Sequence, residues 1–260
     1  MAATTAQVLP AGPTLRLLQY SPAWGAPSVD PRCTKAQAYL RVCGRSYEVE
    51  DASAAAPGWS PLLLPVLRDG ARAVEPDGLY AHLREGGIDA DAKLSAEERA
   101  ESAAWTALVE ERLGLALLYA CWAEEDNYAA VLKPAYAQRL PLPLCLYLPW
   151  TMRRRALSQL ARREGVAYRL GGEALEALNT RLTGRGSFFA SGASAAFSYL
   201  TAVLRCPLPR DTLRAHLKSL PALCSYERSR NAVLGALGGA LVYAVGGEEE
   251  LDEYAADEQQ

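Results

Sequence analysis

The sequence predicts an α+β fold, in which a small mixed sheet with its own helices precedes a part made of helices alone. Two observations predict this. Before Gly87, short runs of strand length at 15–20, 46–50 and 62–67 surround one helical segment. After Gly87, apolar residues recur only at helical spacing.

The apolar run at 62–67 organises the first part. It contains Pro65, and a turn signal at 68–70 (Arg-Asp-Gly) separates it from a short stretch at 71–74, so the pair is typical of a β-hairpin. A proline cannot donate to a strand ladder, so it belongs at an edge, a strand start or a special bend. Pro65 is therefore either a trans residue in an edge strand or a cis residue starting a central strand.

The order of elements favours the second interpretation. In chain order we expect a strand at 15–20, a helix from Asp30-Pro31 to Gly44, a strand at 46–50, the hairpin, and a helix at 77–85. This βαβ–ββα order is that of a thioredoxin-like domain, whose central strand starts at a cis proline. We therefore predict that Pro65 is cis.

The second part begins at a capping box, Ser95-Ala96-Glu97-Glu98. Helices are expected at 95–120, 127–140, 151–164, 172–182, 193–204 and 211–220, with an apolar link from the break at 141–143 to Trp150. A thioredoxin-like front with an all-helical back is the glutathione-transferase architecture. The predicted domains are a flexible N-terminus (1–14), a thioredoxin-like domain (15–90), an all-helical domain (91–230), an apolar membrane-anchor candidate (231–247) and an acidic tail (248–260).

The composition argues against a disordered chain, a nucleic-acid-binding protein, a metal-binding protein and a secreted protein. Of 260 residues, 50% are hydrophobic, so a sizeable core is expected, and the net charge of −3 gives no argument for nucleic acid. The six cysteines form no C-x-x-C pair and the two histidines lie far apart, so we expect no metal site and reduced, mostly buried thiols. The N-terminus has neither a secretory signal nor an Arg-rich presequence, which favours a cytosolic-side protein.

The pattern offers little catalytic chemistry. A glutathione transferase needs a hydroxyl or thiol near the end of the first strand, for which Tyr20, Ser21 and Cys33 are candidates. It also needs a polar pair before the helix at 77–85, and there the sequence reads Glu75-Pro76, where the proline has no hydroxyl or N–H to offer. We therefore predict no catalytic residues and no cofactor, with Gly184-Arg185-Gly186 as a turn.

Several segments together resemble one family, the metaxins. The resemblance is most specific in the middle of the chain and extends over about 15–228. The segments that carry it are 24–33 (WGAPSVDPRC), 38–41, 127–128, 141–144, 148–149, 152–154, 188–189, 197–200, 216–217 and 223–226. One departure is Ala193-Ser194, where transferase relatives usually place Asp-Ala; this predicts a weaker N-terminal cap for the helix at 193–204.

The resemblance implies docking and no catalysis. Metaxins are similar to glutathione transferases in fold and act as cytosol-facing subunits of the sorting and assembly machinery in the mitochondrial outer membrane, which inserts β-barrel proteins. It implies as partners the β-barrel insertion subunit, another metaxin-like subunit, β-barrel precursors and outer-membrane lipid. Two alternatives stay open: a catalytic glutathione transferase, and a soluble transferase-fold adaptor in another complex.

Two further stretches are candidates for contacts. The uncharged run at 232–247 would be about 24 Å long as a helix, short of a bilayer core of ~30 Å. It is either a membrane-embedded or membrane-lying segment, with Gly235, Gly239, Leu241 and Val242 as candidate residues, or a final helix packed on the protein's own core. Five arginines (Arg153, Arg154, Arg155, Arg162 and Arg163) form either a solvated helix face or a contact with anionic lipid or an acidic partner.

Overall fold

The computed structural model of the chain describes residues 15–51, 64–138, 142–185, 187–188 and 190–237. In this part of the chain a four-stranded sheet and its helices are followed by helices. The sheet region contains β1 (Leu15–Gln19), α1 (Pro31–Val42), β2 (Tyr47–Asp51), β3 (Val66–Asp69), β4 (Arg72–Val74) and α2 (Pro76–Glu85). The α+β architecture predicted from the sequence is confirmed.

The sheet has the order β2-β1-β3-β4 and is mixed. β1 pairs with β2 in parallel and with β3 antiparallel, so Leu17 lies opposite both Val49 and Leu67. Leu17 and Leu67 have no exposed surface, because they point into the layer between the sheet and its helices. β1 is central in the sheet, and its three leucines, Leu15, Leu17 and Leu18, are all buried.

The hairpin differs slightly from the prediction. The Leu64–Pro65 peptide bond is cis, and β3 begins only at Val66, since a proline cannot donate to the ladder. β3 then continues through Asp69, and the turn falls at Gly70, which has a φ of +59°. The predicted strand at 62–67 is therefore displaced toward the C-terminus, and its first two residues lie outside the described part.

Helix α1 begins and ends where its sequence signals indicate. The Asp30 side chain accepts a hydrogen bond from the backbone N–H of Arg32 at 2.8 Å, and Pro31 occupies the first turn. Gly44 follows the helix with a φ of +64°, a conformation that glycine adopts without strain. Both faces of α1 are largely buried because the helix lies between the sheet and α9 (Ala190–Arg205).

The helical part starts at the predicted capping box: Ser95 accepts from the N–H of Glu98, and Glu98 accepts from the N–H of Ser95. Its elements, besides α9, are α3 (Ala96–Leu108), α4 (Gly114–Leu118), α5 (Glu125–Asn127), α6 (Lys133–Ala137), α7 (Leu144–Leu160), α8 (Ala167–Arg185), α10 (Thr212–Lys218) and α11 (Pro221–Leu237). Short π-helical segments join α3 to α4 and extend α4 and α5, at Val109–Leu113, Tyr119–Ala123 and Tyr128–Leu132.

Several boundaries predicted from the sequence are wrong. Helix α8 begins at Ala167, five residues before the predicted start at 172, and it includes Gly184 and Arg185, where the sequence predicts a turn. The supposed apolar link before Trp150 is helical, because α7 begins at Leu144 and contains Pro149. The basic helix also ends at Leu160, so Arg162 and Arg163 lie in the turn that follows it. In addition, α11 continues as a helix through the segment 221–228 and into the uncharged run.

The predicted weak cap at Ala193-Ser194 is replaced by a tertiary cap. Helix α9 begins three residues earlier, at Ala190, and the N–H of Ser191 donates to the Asp91 carboxylate at 3.1 Å. The next N–H, from Gly192, donates to the Ser102 hydroxyl at 3.2 Å. Residues about a hundred positions earlier therefore satisfy the free donors of this helix.

Candidate functional site

The three residues with catalytic potential lie where β1 ends and α1 begins, in the cleft between the sheet and the helices. We call it the closed cleft because Tyr20 and Cys33 are buried there. Cys33 lies in the first turn of α1 and has no exposed surface. Burial, together with the nearby Asp30 carboxylate, holds the pKa of the Cys33 thiol far above its ordinary value. The residue is therefore a protonated, inaccessible thiol, and a reactive thiolate is disfavoured.

The two hydroxyls are engaged as well. The Tyr20 ring packs edge-to-face on Tyr136 with ring centroids 4.9 Å apart, and its hydroxyl donates to the sulfur of Met152 at 3.9 Å. Burial raises the pKa of Tyr20 far above its ordinary value, so it stays neutral. The Ser21 hydroxyl donates to the Asp51 carboxylate at the end of β2. These side chains fill the place where a transferase would present its reacting group.

The segment before α2 also lacks the pair of polar groups that would bind a ligand there. Glu75 precedes the helix and its side chain makes no capping hydrogen bond, while Pro76 occupies the first helical position. Position 76 therefore offers neither the hydroxyl nor the N–H that a bound γ-glutamyl group would need. In the described part of the chain, no cluster of His, Cys, Asp and Glu could hold a metal ion.

A hydrogen-bonded chain from α11 fixes the loop beside Cys33. Glu227 on α11 is 3% exposed and accepts from Arg205 on α9 at 3.1 Å. Arg205 in turn donates to the carbonyl of Gly25 at 2.9 Å. The neighbouring Trp24 has a φ of +53°, which a non-glycine residue adopts only where its surroundings hold it. The loop that would border a ligand is thus tied to the protein's own last helices.

The N-terminal half of α7 and the turn at 142–143 before it, by contrast, expose apolar side chains. Six large apolar side chains are exposed in the described part of the chain, and four of them lie between 142 and 150. The fractional exposures of these four are 77% for Leu142, 68% for Leu146, 60% for Tyr147 and 49% for Trp150. We call this set the α7 apolar face. Leu148 and Ala156, on the opposite side of the helix, are buried in the core.

The five predicted basic residues fall into two groups. Arg153 points inward: it donates to the carbonyl of Trp122 at 3.0 Å, pairs with Glu125 at 2.6 Å and lies 4.2 Å from the centre of the Tyr128 ring. The hydrogen bond from Arg153 lowers the pKa of Glu125. The other four are exposed, namely Arg154, Arg155, Arg162 and Arg163.

Arg154 extends the α7 apolar face with a positive charge. Its guanidinium lies 4.9 Å from the centre of the Trp150 ring, one helical turn away. No Asp or Glu occurs between 142 and 163, so every Asp, Glu, Lys or Arg position of this segment is an arginine.

The first turn of the uncharged C-terminal run packs on the protein itself. Leu234 is 3% exposed and contacts Ala38 and Phe197, and its carbonyl accepts from Arg41 at 3.0 Å. At Gly235, open space surrounds the position of an added Cβ. Gly239, Leu241 and Val242 lie outside the described residues. Among the helices described here, none is long and apolar enough to cross a membrane.

Sequence reasoning missed the residues that close the cleft. Tyr136 and Met152 follow Tyr20 by more than a hundred positions, and no local pattern links them. The α7 apolar face had a visible signal: the stretch LPLPLCLYLPW at 140–150 is too apolar for an exposed link. Because prolines disfavour a helix interior, the prolines at 141, 143 and 149 led to the prediction of a link instead of a helix.

Comparisons with known proteins agree with this geometry. Residues 33–153 match the family model Tom37, described as "Outer mitochondrial membrane transport complex protein". Metaxin-1 of Mus musculus is 32% identical over 231 residues, which cover 82% of this chain and 72% of that protein. Metaxin-3 of Xenopus laevis is 32% identical over 222 residues, covering 78% and 71%.

Solved structures show the fold. A glutathione S-transferase of Ceriporiopsis subvermispora, in complex with glutathione, superposes with a TM-score of 0.56 at 12% identity and covers 87% of this chain and 98% of its own. Glutathione S-transferase I bound with lactoylglutathione gives 0.51 at 16% identity, covering 86% and 100%. At such low identity the likeness concerns architecture alone.

Proposed function

This chain belongs to the metaxin family, and from that premise we propose that it is a non-enzymatic subunit of the sorting and assembly machinery of the mitochondrial outer membrane. On the cytosolic face of that membrane, the chain would bind the β-barrel insertion subunit, a second metaxin-like subunit and incoming β-barrel precursors. It would need no cofactor. The family description, an outer mitochondrial membrane transport complex protein, supports the location.

One observation carries the non-enzymatic part of this proposal: the cleft where a transferase would work is filled by the protein's own side chains. Cys33 has no exposed surface, and Tyr20 and Tyr136 are 5% and 7% exposed. A thiol-conjugating enzyme needs an accessible group that holds its substrate as a thiolate. Here burial favours the neutral forms of all three groups.

The C-terminal run would contribute a shallow membrane contact. Since Leu234 is packed on Ala38, the part left for lipid begins near Gly235. The twelve residues 236–247 would measure about 18 Å as a helix, well below the ~30 Å of a bilayer core. We therefore propose that Gly239, Leu241 and Val242 lie at the membrane surface and do not span it.

Affinity purification of the tagged full chain from a mitochondrial membrane fraction tests the proposal. We expect a β-barrel membrane protein and a second metaxin-like chain to co-purify in fixed ratio. Recovery of the chain by itself, or with soluble proteins only, would favour the adaptor alternative.

A thiol-conjugation assay with glutathione and chlorodinitrobenzene tests the enzymatic alternative. We expect no turnover above the uncatalysed rate. Turnover that Cys33→Ala, Tyr20→Phe or Ser21→Ala abolishes would replace our proposal with a catalytic one, and Cys145→Ala provides a control thiol on α7.

A further inference from the structure

The α7 apolar face has the composition of a helix surface that lies in a lipid interface. On a helix, successive residues are ~100° apart, so Leu146, Trp150 and Arg154 follow one another along a single stripe, with Tyr147 beside them. The rings of Tyr147 and Trp150 lie 6.0 Å apart. Exposed leucine, a tryptophan–tyrosine pair and arginine on one stripe are typical of helices that lie in the membrane plane.

Charge complementarity indicates which partner covers this face. From 142 to 163 the segment has no acidic residue, and four of its five arginines are exposed. An acidic protein surface would also attract arginines, but it would not require Leu142, Leu146 and Trp150 to face outward as a patch. Anionic phosphate head groups above an apolar layer match both properties, since arginine binds phosphate and the apolar side chains enter the acyl boundary.

The arrangement of Arg154 fits such a surface. Its guanidinium covers the Trp150 ring, so the tryptophan can lie at the level of the head groups while the charge stays next to the phosphates. Arg153, one residue earlier, takes no part because its side chain is bound to Trp122 and Glu125. Pro149 and Leu148 pack inward, which fixes the helix on the protein's core.

We propose that the α7 apolar face, formed by Leu142, Leu146, Tyr147 and Trp150 and extended by Arg154, docks this chain on the anionic surface of a phospholipid bilayer. This rests on the proposed function, because the outer membrane supplies the bilayer. It adds a second membrane contact, independent of the C-terminal run.

Tryptophan quenching by vesicles of phosphatidylcholine and phosphatidylinositol with brominated acyl chains tests the contact directly. The run at 232–260 contains no tryptophan, so the signal does not report on it. Of the four tryptophans in the described part of the chain, Trp150 alone is exposed. We expect quenching of the full chain that Trp150→Phe largely removes and that Trp105→Phe and Trp122→Phe preserve. Equal quenching in Trp150→Phe and the unchanged chain would overturn the proposal.

Vesicle co-sedimentation measures how much the apolar side chains and the arginine of the α7 apolar face each contribute to lipid binding. We expect Leu146→Ser and Arg154→Glu each to lower partitioning into the anionic vesicles by about tenfold. The matched controls Val49→Ser and Arg72→Glu change exposed residues of the sheet and should leave partitioning unchanged. Unchanged partitioning in both α7 variants would contradict the inference.

The outcomes also separate this inference from the proposed function. If Leu146→Ser releases the co-purifying membrane proteins while vesicle binding and quenching stay unchanged, the α7 apolar face is a protein interface and the lipid proposal is wrong. If Trp150 is quenched but no membrane complex is recovered by purification, the lipid contact holds and the proposed function fails.

Discussion

The closed cleft and the α7 apolar face use the same kinds of side chain in opposite ways. In the cleft, Tyr136 is 7% exposed and packs against Tyr20, whereas Tyr147 on α7 is 60% exposed. Arg153 is bonded inward, and its neighbour Arg154 faces solvent. In the cleft, Tyr20, Cys33 and Tyr136 are core residues, whereas the α7 apolar face is exposed.

The comparison is tested most strongly by the same substitution in both regions. Tyr136→Ala removes a ring that packs on Tyr20 at 4.9 Å and on Trp122 at 5.3 Å. We expect it to lower the free energy of unfolding by about 3–5 kcal/mol, the cost typical of deleting a buried aromatic ring. Urea unfolding monitored by circular dichroism measures the change.

Tyr147→Ala is the matched control. Its ring is already largely in water, so we expect a change within about 0.5 kcal/mol. A large loss at Tyr147 would show that this residue supports the fold, and a small loss at Tyr136 would show that the cleft is loosely packed.

The sequence predicts the sheet region and the start of the helical part well because their signals are local. Asp30-Pro31, Gly44 and the capping box at Ser95 each act within a few residues, and the structure contains all three. Predicting the cis bond at Pro65 required one more observation, which is the order of the surrounding strands and helices.

The parts that could not be predicted depend on distant residues. The start of α9 is set by Asp91 and Ser102, which no pattern near 190 reveals. Similarly, Pro149 disfavours a helix by local rules, yet α7 passes through it because Leu148, Ala156 and Leu160 bury one face in the helical core. The closure of the cleft by Tyr136 is also a long-range packing event.

A second test compares the two adjacent arginines. Arg153→Ala removes a charged hydrogen bond to the carbonyl of Trp122 and a contact with the face of the Tyr128 ring, and we expect a loss of about 2 kcal/mol. The pair with Glu125 adds little because that carboxylate is exposed. Thermal and urea unfolding provide the measurement.

Arg154→Ala should change stability by less than about 0.5 kcal/mol, since its contact with Trp150 lies at the surface. If the two substitutions cost the same, the division of the basic segment into a structural and a surface arginine is wrong.

The smallest expected effect is a pH dependence that arises in the cleft. Burial raises the pKa of the Cys33 thiol above its ordinary value of 9.0, so the folded state keeps its proton at a pH where the unfolded chain releases it. Its contribution to stability is therefore fully present below pH 9 and declines as the pH rises above that value. At about pH 10, one unit above the unfolded pKa, the loss is about 1 kcal/mol.

Urea unfolding of the unchanged chain and of Cys33→Ala, at about pH 7 and about pH 10, isolates this contribution, because the difference between the two proteins at neutral pH reports only the lost packing. We expect Cys33→Ala to lose less stability than the unchanged chain between the two pH values. An equal loss would mean that Cys33 ionises in the folded protein, which would reopen the cleft as a site for thiolate chemistry.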